Sequence, residues 1–261
     1  MLKFSNANAK LRRLAKTEWA QKYLQPTAAH GRRKVYSFDT LAGWACPFAN
    51  ECMSRAVPVT VDGVDTVRVQ DGPDTVFRCF SASEEVSYPN VYRLRKGNFD
   101  ILRDCHTVDA MVDQILEALP DDAGIVRIHV SGDFFSPAYF RAWISVAQCH
   151  PDRHFYAYTK SLPYWIDMMG KIPANLSLTA SKGGRRDDMI EEYGLKHSVV
   201  VYSVEEAERL GLEIDHDDSH AANPDKGTFA LLIHGTQPKG SEAGKAVYRL
   251  RKAGVNFEYS R

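Results

Sequence analysis

At 261 residues, with 44% hydrophobic and 25% charged content, the chain has the material for one large globular domain or two small ones. No apolar run is long enough to cross a membrane and no leader pattern opens the chain; five cysteines, an odd number, argue against a disulfide framework and suit a reducing cytosol. Net charge is zero but unevenly spread, with nine Lys or Arg against the single acid Glu18 in residues 1–35.

In chain order, residues 1–34 read as a basic N-terminal arm and 35–261 as a single α/β domain. The stretch Lys10-Leu11-Arg12-Arg13-Leu14-Ala15-Lys16 is either a solvated helix face or a contact for nucleic acid or an acidic host protein. A first strand at 35–39 leads into Gly43-Trp44-Ala45-Cys46-Pro47-Phe48-Ala49-Asn50-Glu51-Cys52, whose Gly, Pro and Asn break regular structure. Two β-branched runs at 57–69 flank Asp62-Gly63, the signal of a hairpin that returns Cys79 toward Cys46 and Cys52. Residues 87–119 read as two helices broken near Cys105-His106-Thr107. Strands at 125–130, 154–158, 176–180, 198–202 and 228–233 then alternate with helices at 137–148, 162–169, 187–193, 204–210 and 241–253. About six βα units predict a parallel sheet, as a partial (β/α) barrel or an open sheet.

Three thiolates can hold three irons of a [4Fe–4S] cluster and leave the fourth iron open, or make most of a zinc site if His30 or His106 joins them. The spacing does not choose between these and three packing thiols. Cys105 and Cys149 sit among apolar neighbours at helical spacing and read as packing residues.

Polar residues gather at the C-terminal ends of the strands, the edge where α/β folds place ligands. They include Ser131-Gly132-Asp133, Thr159-Lys160-Ser161, Ser181-Lys182-Gly183-Gly184 and His234-Gly235-Thr236-Gln237. Asp133 is a candidate acid–base group or a helix cap, and Lys160 a partner for it or for an anion. Arg127 and His129 alternate with Ile128 and Val130, so one strand face would carry both; a structural histidine is an equal reading. The Gly183-Gly184 amides could receive a carboxylate or phosphate, with Ser181 and His234 completing a cofactor pocket.

Cys46-Pro47-x-Ala49-x-x-Cys52, a third cysteine, Ser131-Gly132-Asp133-Phe134, Phe155 to Ser161, Pro173-Ala174-Asn175-Leu176 and Ser181 to Gly184, in that order, resemble the gene product 88 family of bacteriophage proteins over residues 35–190. The same order is similar, more distantly, to a phage family that looks like radical S-adenosylmethionine proteins. The resemblance implies a phage-encoded iron–sulfur protein of the bacterial cytoplasm, with S-adenosylmethionine as a candidate ligand of the open iron. Two features depart from it: no cysteine follows Cys149, and the third cysteine reads Cys79-Phe80-Ser81 where the family reads Cys-Tyr-Ala. The rival expectations are a zinc enzyme acting on a nucleobase and a non-enzymatic iron–sulfur protein that binds a host protein.

Overall fold

The computed structural model describes residues 1–28, 31–255 and 257. His30, one of the two expected zinc-site histidines, lies outside them.

The strands are β1 (Phe4–Asn6), β2 (Lys34–Phe38), β3 (Ser54–Val61), β4 (Val64–Asp71), β5 (Ala123–Ile128), β6 (His154–Thr159), β7 (Leu176–Ser181), β8 (His197–Val201) and β9 (Phe229–Leu232). The helices are α1 (Ala9–Leu14), α2 (Glu18–Gln21), α3 (Phe80–Ser87), α4 (Pro89–Arg103), α5 (Val108–Ala118), α6 (Pro137–Cys149), α7 (Leu162–Met168), α8 (Asp188–Glu192), α9 (Val204–Arg209), α10 (Ser219–Ala222) and α11 (Glu242–Lys252).

Seven strands form one sheet in the order β1-β2-β5-β6-β7-β8-β9. The six from β2 to β9 run parallel and follow chain order, while β1 adds an antiparallel edge through Phe4↔Phe38 and Asn6↔Tyr36. Among the described residues β1 and β9 each pair on one side only, so the hydrogen-bonded sheet stays open.

Strand alternation sorts side chains onto two faces. On one, Phe38, Val126, Ile128, Phe155, Ala157, Leu176 and Leu178 pack against α5 and α6, with Trp143 fully buried among them. On the other, Val35, Ile125, Tyr156 and Phe229 meet Leu11, Leu14, Ala20 and Leu24 of the N-terminal segment and Ala221 and Ala222 of α10. The N-terminal segment therefore supplies one of the two covers of the sheet. Its cations divide: Lys10 is buried, whereas Arg12 and Lys16 face solvent.

β3 and β4 form a separate two-stranded sheet. Asp62 and Gly63 at its tip both have left-handed backbone (φ 51° and 78°), as a tight two-residue hairpin turn demands. At its base Ser54 Oγ donates to Asp71 (2.9 Å), Gly72 N–H to the Met53 carbonyl (2.6 Å) and Arg78 Nε to Asp71 (3.0 Å).

Two expectations are corrected. β5 ends at Ile128 and His129 takes φ 70°, so the alternation does not reach His129 and it does not share a face with Arg127. Cys149 is exposed at the last position of α6; Cys105 is half-buried beside the core, its thiol donating to the Ile101 carbonyl (3.3 Å).

Candidate functional site: the cysteine loop on the strand ends

The cysteine loop docks on the loop that leaves β7. Glu51 N–H donates to the Gly183 carbonyl (3.0 Å), Arg185 N–H to the Phe48 carbonyl (2.9 Å), and Ala49 bridges Gly184. Only glycine suits position 43: its φ is +70°, and a Cβ there would collide with the Ser54 carbonyl.

The hairpin base carries Cys79 back as the notional turn of the chain requires. Val76 and Phe77 N–H both donate to the Glu51 carbonyl (2.7 and 3.1 Å), and Cys79 N–H donates to Ser54 Oγ (3.2 Å). Cys79 immediately precedes α3, and the loop after β9 closes over it. There Gln237 bonds both the N–H and the carbonyl of Arg78 (2.8 and 2.9 Å), and His234 packs its ring on Phe80 (4.8 Å).

The three sulfurs share one environment. Each cysteine keeps some surface open, but the protein around Cys46 and Cys79 is dense. Burial pushes the Cys46 thiol well above its ordinary range, and Asp133, Cys79 and Cys52 add to the effect. Burial raises Cys79 to about 12, with Cys52 adding, while the first-turn amides of Ala82 and Ser81 pull the other way. Among the described residues no group of three or more His, Cys, Asp or Glu side chains is arranged to hold a metal ion. His106 is exposed before α5.

The expected strand-end residues mostly have partners within the fold. Asp133 is buried; its Oδ1 accepts from Phe134 N–H (2.7 Å) and Thr159 Oγ (2.6 Å), and its Oδ2 from Lys160 N–H (2.8 Å). Burial raises its pKa to about 6 against the pull of those donors. Lys160 donates its ammonium to the Ser181 carbonyl (2.7 Å), Ser181 Oγ (3.0 Å) and the Lys182 carbonyl (2.7 Å), not to Asp133. The Gly183 and Gly184 amides do receive a carboxylate, but it is the chain's own: Asp187 Oδ2 and Oδ1, at 2.7 and 2.9 Å. Ser181 is thus committed to Lys160, and His234 Nδ1 to the Leu232 carbonyl (3.0 Å). His129 turns to the helix-covered face, where Nε2 meets Tyr139 OH (2.9 Å) and its ring meets Phe134 (4.8 Å). Burial lowers its pKa to about 3 and holds it neutral.

Sequence reasoning missed Glu85. Its side chain is fully buried; Oε1 accepts from Ala42 N–H (3.0 Å) and Ser131 Oγ (3.0 Å), with Arg95 at 3.5 Å, and Oε2 has no partner. Burial raises its pKa to about 7, only partly offset by Arg95, and its charge is felt at Cys79. The only sequence signal was a pair of acids, Glu84 and Glu85, on a helix otherwise poor in charge. Asp39 was visible only as a strand-end acid; it caps the same C-terminal edge, accepting from Val130 N–H (2.7 Å) and Ser131 N–H (3.2 Å).

A family model for gene product 88 matches residues 2–252. The chain belongs to the gene product 88 family. Within it, the Gene 88 protein of Mycobacterium phage L5 is 33% identical over 90 residues, 31% of this chain and 38% of that protein. The Gene 88 protein of Mycobacterium phage D29 is 29% identical over 108 residues, 38% of this chain and 45% of that protein. The matches thus span less than half the length of either relative. No solved structure matches the chain. No helix among the described residues is long and apolar enough to cross a membrane.

Proposed function

We propose that this gene product 88 protein, acting in the bacterial host cytoplasm, carries a [4Fe–4S] cluster on Cys46, Cys52 and Cys79, at the C-terminal edge of the sheet, with one iron free of protein thiolate. The observation that supports this most is the convergence of three thiols from two segments, where Cys79 and Cys52 raise the proton affinity of Cys46, and Cys52 that of Cys79. Thiols so placed are poor as neighbours and good as a ligand set. The donor chemistry is compatible with the group, all-sulfur and half-buried, although among the described residues the three thiols are not already drawn together as a metal-binding group. A mononuclear zinc site draws no comparable support, since His106 points to solvent.

The chain's own residues would act in defined ways. The cysteines must lose their protons to bind iron, so loading releases protons and favours alkaline pH. Asp133 would hold the ends of β5 and β6 beside Cys46, and Glu85 would present an unpaired oxygen near Cys79. When bound, such a cluster supplies electron transfer or a Lewis-acidic iron.

Whether the protein also takes S-adenosylmethionine turns on the pocket groups. The Gly183 and Gly184 amides are held by Asp187, and the Lys160 ammonium by three backbone and hydroxyl oxygens. That saturation favours the second reading, a non-enzymatic iron–sulfur protein of the phage, over a radical enzyme.

The test is anaerobic reconstitution of wild type and of three single variants, Cys46→Ser, Cys52→Ser and Cys79→Ser. A broad absorbance near 400 nm, the region of thiolate-to-iron charge transfer (about that position for iron–sulfur proteins), is expected in wild type and lost in each variant. Equal iron uptake by all four proteins would overturn the assignment. Equilibrium dialysis of the reduced, loaded protein with S-adenosylmethionine then separates the two readings.

A further inference from the structure

We propose that the exposed face of α11, with the loop before it, binds single-stranded nucleic acid. The inference is independent of the cysteine site. It starts from helical spacing. Ala243, Ala246, Val247 and Leu250 are buried against β9, so Lys245, Tyr248, Arg249 and Lys252 face outward. Lys239, in the loop, adds a fifth outward side chain.

Lys239, Lys245, Tyr248 and Arg249 line a concave surface, with Lys252 beyond its rim on the same helix. A pocket of about 430 Å³ is walled by Pro238, Lys239, Gly244, Lys245, Tyr248 and Arg249, among others. That volume suits a nucleotide-sized group (ligand pockets run roughly 300–1,000 Å³). Four cations face one acid: Lys239, Lys245, Arg249 and Lys252 against Glu242, which pairs with Lys245 at 2.7 Å. Among the described residues no carboxylate lies within ion-pair distance of Lys239, Arg249 or Lys252. The start of α11 adds positive potential beside Lys239 and Lys245, whereas Arg249 and Lys252 lie in its last turn.

Tyr248 decides the class of partner. It is 66% exposed, second only to Met1 among the large hydrophobic side chains of the described residues. A solvated basic face does not require an aromatic ring. A phosphodiester chain with unpaired bases does, because cations neutralise its phosphates while a ring stacks on a base face. A duplex hides those faces, and an acidic protein offers none. The surface is also held rigid, since Gln237 at its edge is clamped to both backbone groups of Arg78.

The test is fluorescence anisotropy of the full-length protein with a labelled, mixed-sequence single-stranded oligonucleotide across a salt series. Affinity is expected to fall steeply with salt. Tyr248→Ala is expected to weaken binding roughly 5- to 150-fold, the worth of one base–aromatic stack, and Tyr248→Phe to keep it. The double variant Arg249→Gln/Lys252→Gln is expected to flatten the salt slope by about 1.4, or 0.7 per charge on a single strand. Arg12→Gln/Lys16→Gln, on the N-terminal segment, serves as control and is expected to bind as wild type. The proposal is overturned by salt-independent binding, by unchanged affinity in Tyr248→Ala, by loss confined to the N-terminal variant, or by binding to polyglutamate with none to the oligonucleotide. That last result would assign the face to an acidic protein.

Discussion

Asp133 carries two duties that one substitution separates. Its carboxylate accepts three donors and ties Phe134, Thr159 and Lys160 into one unit, so the strand-end acid expected from sequence is also a staple between β5 and β6. In Asp133→Asn one oxygen becomes a donor. Either the Lys160 N–H or the Phe134 N–H then faces the amide N–H, while the Thr159 hydroxyl can turn to accept. Leaving a buried donor unsatisfied costs about 1–3 kcal/mol. We expect that loss in urea denaturation at pH 8, and a wild-type midpoint would show that the bonds are dispensable. The same residue-scale view explains why Gly183 and Gly184 read as an anion site: the pattern was right about a carboxylate and silent about whose, because Asp187 lies only three residues on. His129 was unreadable for a different reason. Alternation assumes β backbone, and a single left-handed residue at a strand end cancels it.

Among the elements, the hairpin is the part whose role can be isolated. Its tip is exposed, while its base makes the bonds that return Cys79 to the loop. Removing residues 58–61 and 64–67 joins Val57 to Arg68 through Asp62-Gly63, and because Val57 already pairs with Arg68 the register is kept. We expect this shortened protein to load iron as wild type does and to melt within a few degrees of it. Loss of iron would mean that the tip itself shapes the site. The βα rhythm from 125 onward was legible because each unit combines a β-branched run with an amphipathic helix of ordinary length. β1, α2 and α10 were not: they are three or four residues long, below the reach of periodicity, and are stabilised by the sheet rather than by their own sequence. Cys79 could be paired with Cys46 and Cys52 only because the Asp62-Gly63 turn announced the reversal.

At the scale of the whole molecule, the face covered by the N-terminal segment holds a buried ionic network. Asp218 accepts from Arg127 (2.6 Å), Tyr156 (2.8 Å) and Tyr158 (2.9 Å) and pairs with Lys10 (2.8 Å). Burial alone would raise the Asp218 pKa, but Arg127 and Lys10 hold it below its ordinary value. Beside this network His154 is buried between Trp19 and Tyr23, with Nε2 on the Ala222 carbonyl (2.8 Å). Burial lowers its pKa from 6.5 to about 4. The unfolded chain therefore binds a proton first, and the contribution present above pH 6.5 is lost as pH falls toward 4. The loss is on the order of 2–3 kcal/mol. His154→Gln is expected to flatten stability across that window in urea titrations at pH 7 and pH 4.5; an unchanged slope would place the acid sensitivity elsewhere. The N-terminal cover, the sheet and the cysteine loop thus form one unit, and the proposed cluster sits at its C-terminal edge. Native mass spectrometry of the protein purified without oxygen tests it most directly. The expected result is one species carrying four irons and four sulfides per chain, absent from Cys79→Ser. A chain that carries zinc alone, or no metal after reconstitution with iron and sulfide, would contradict it.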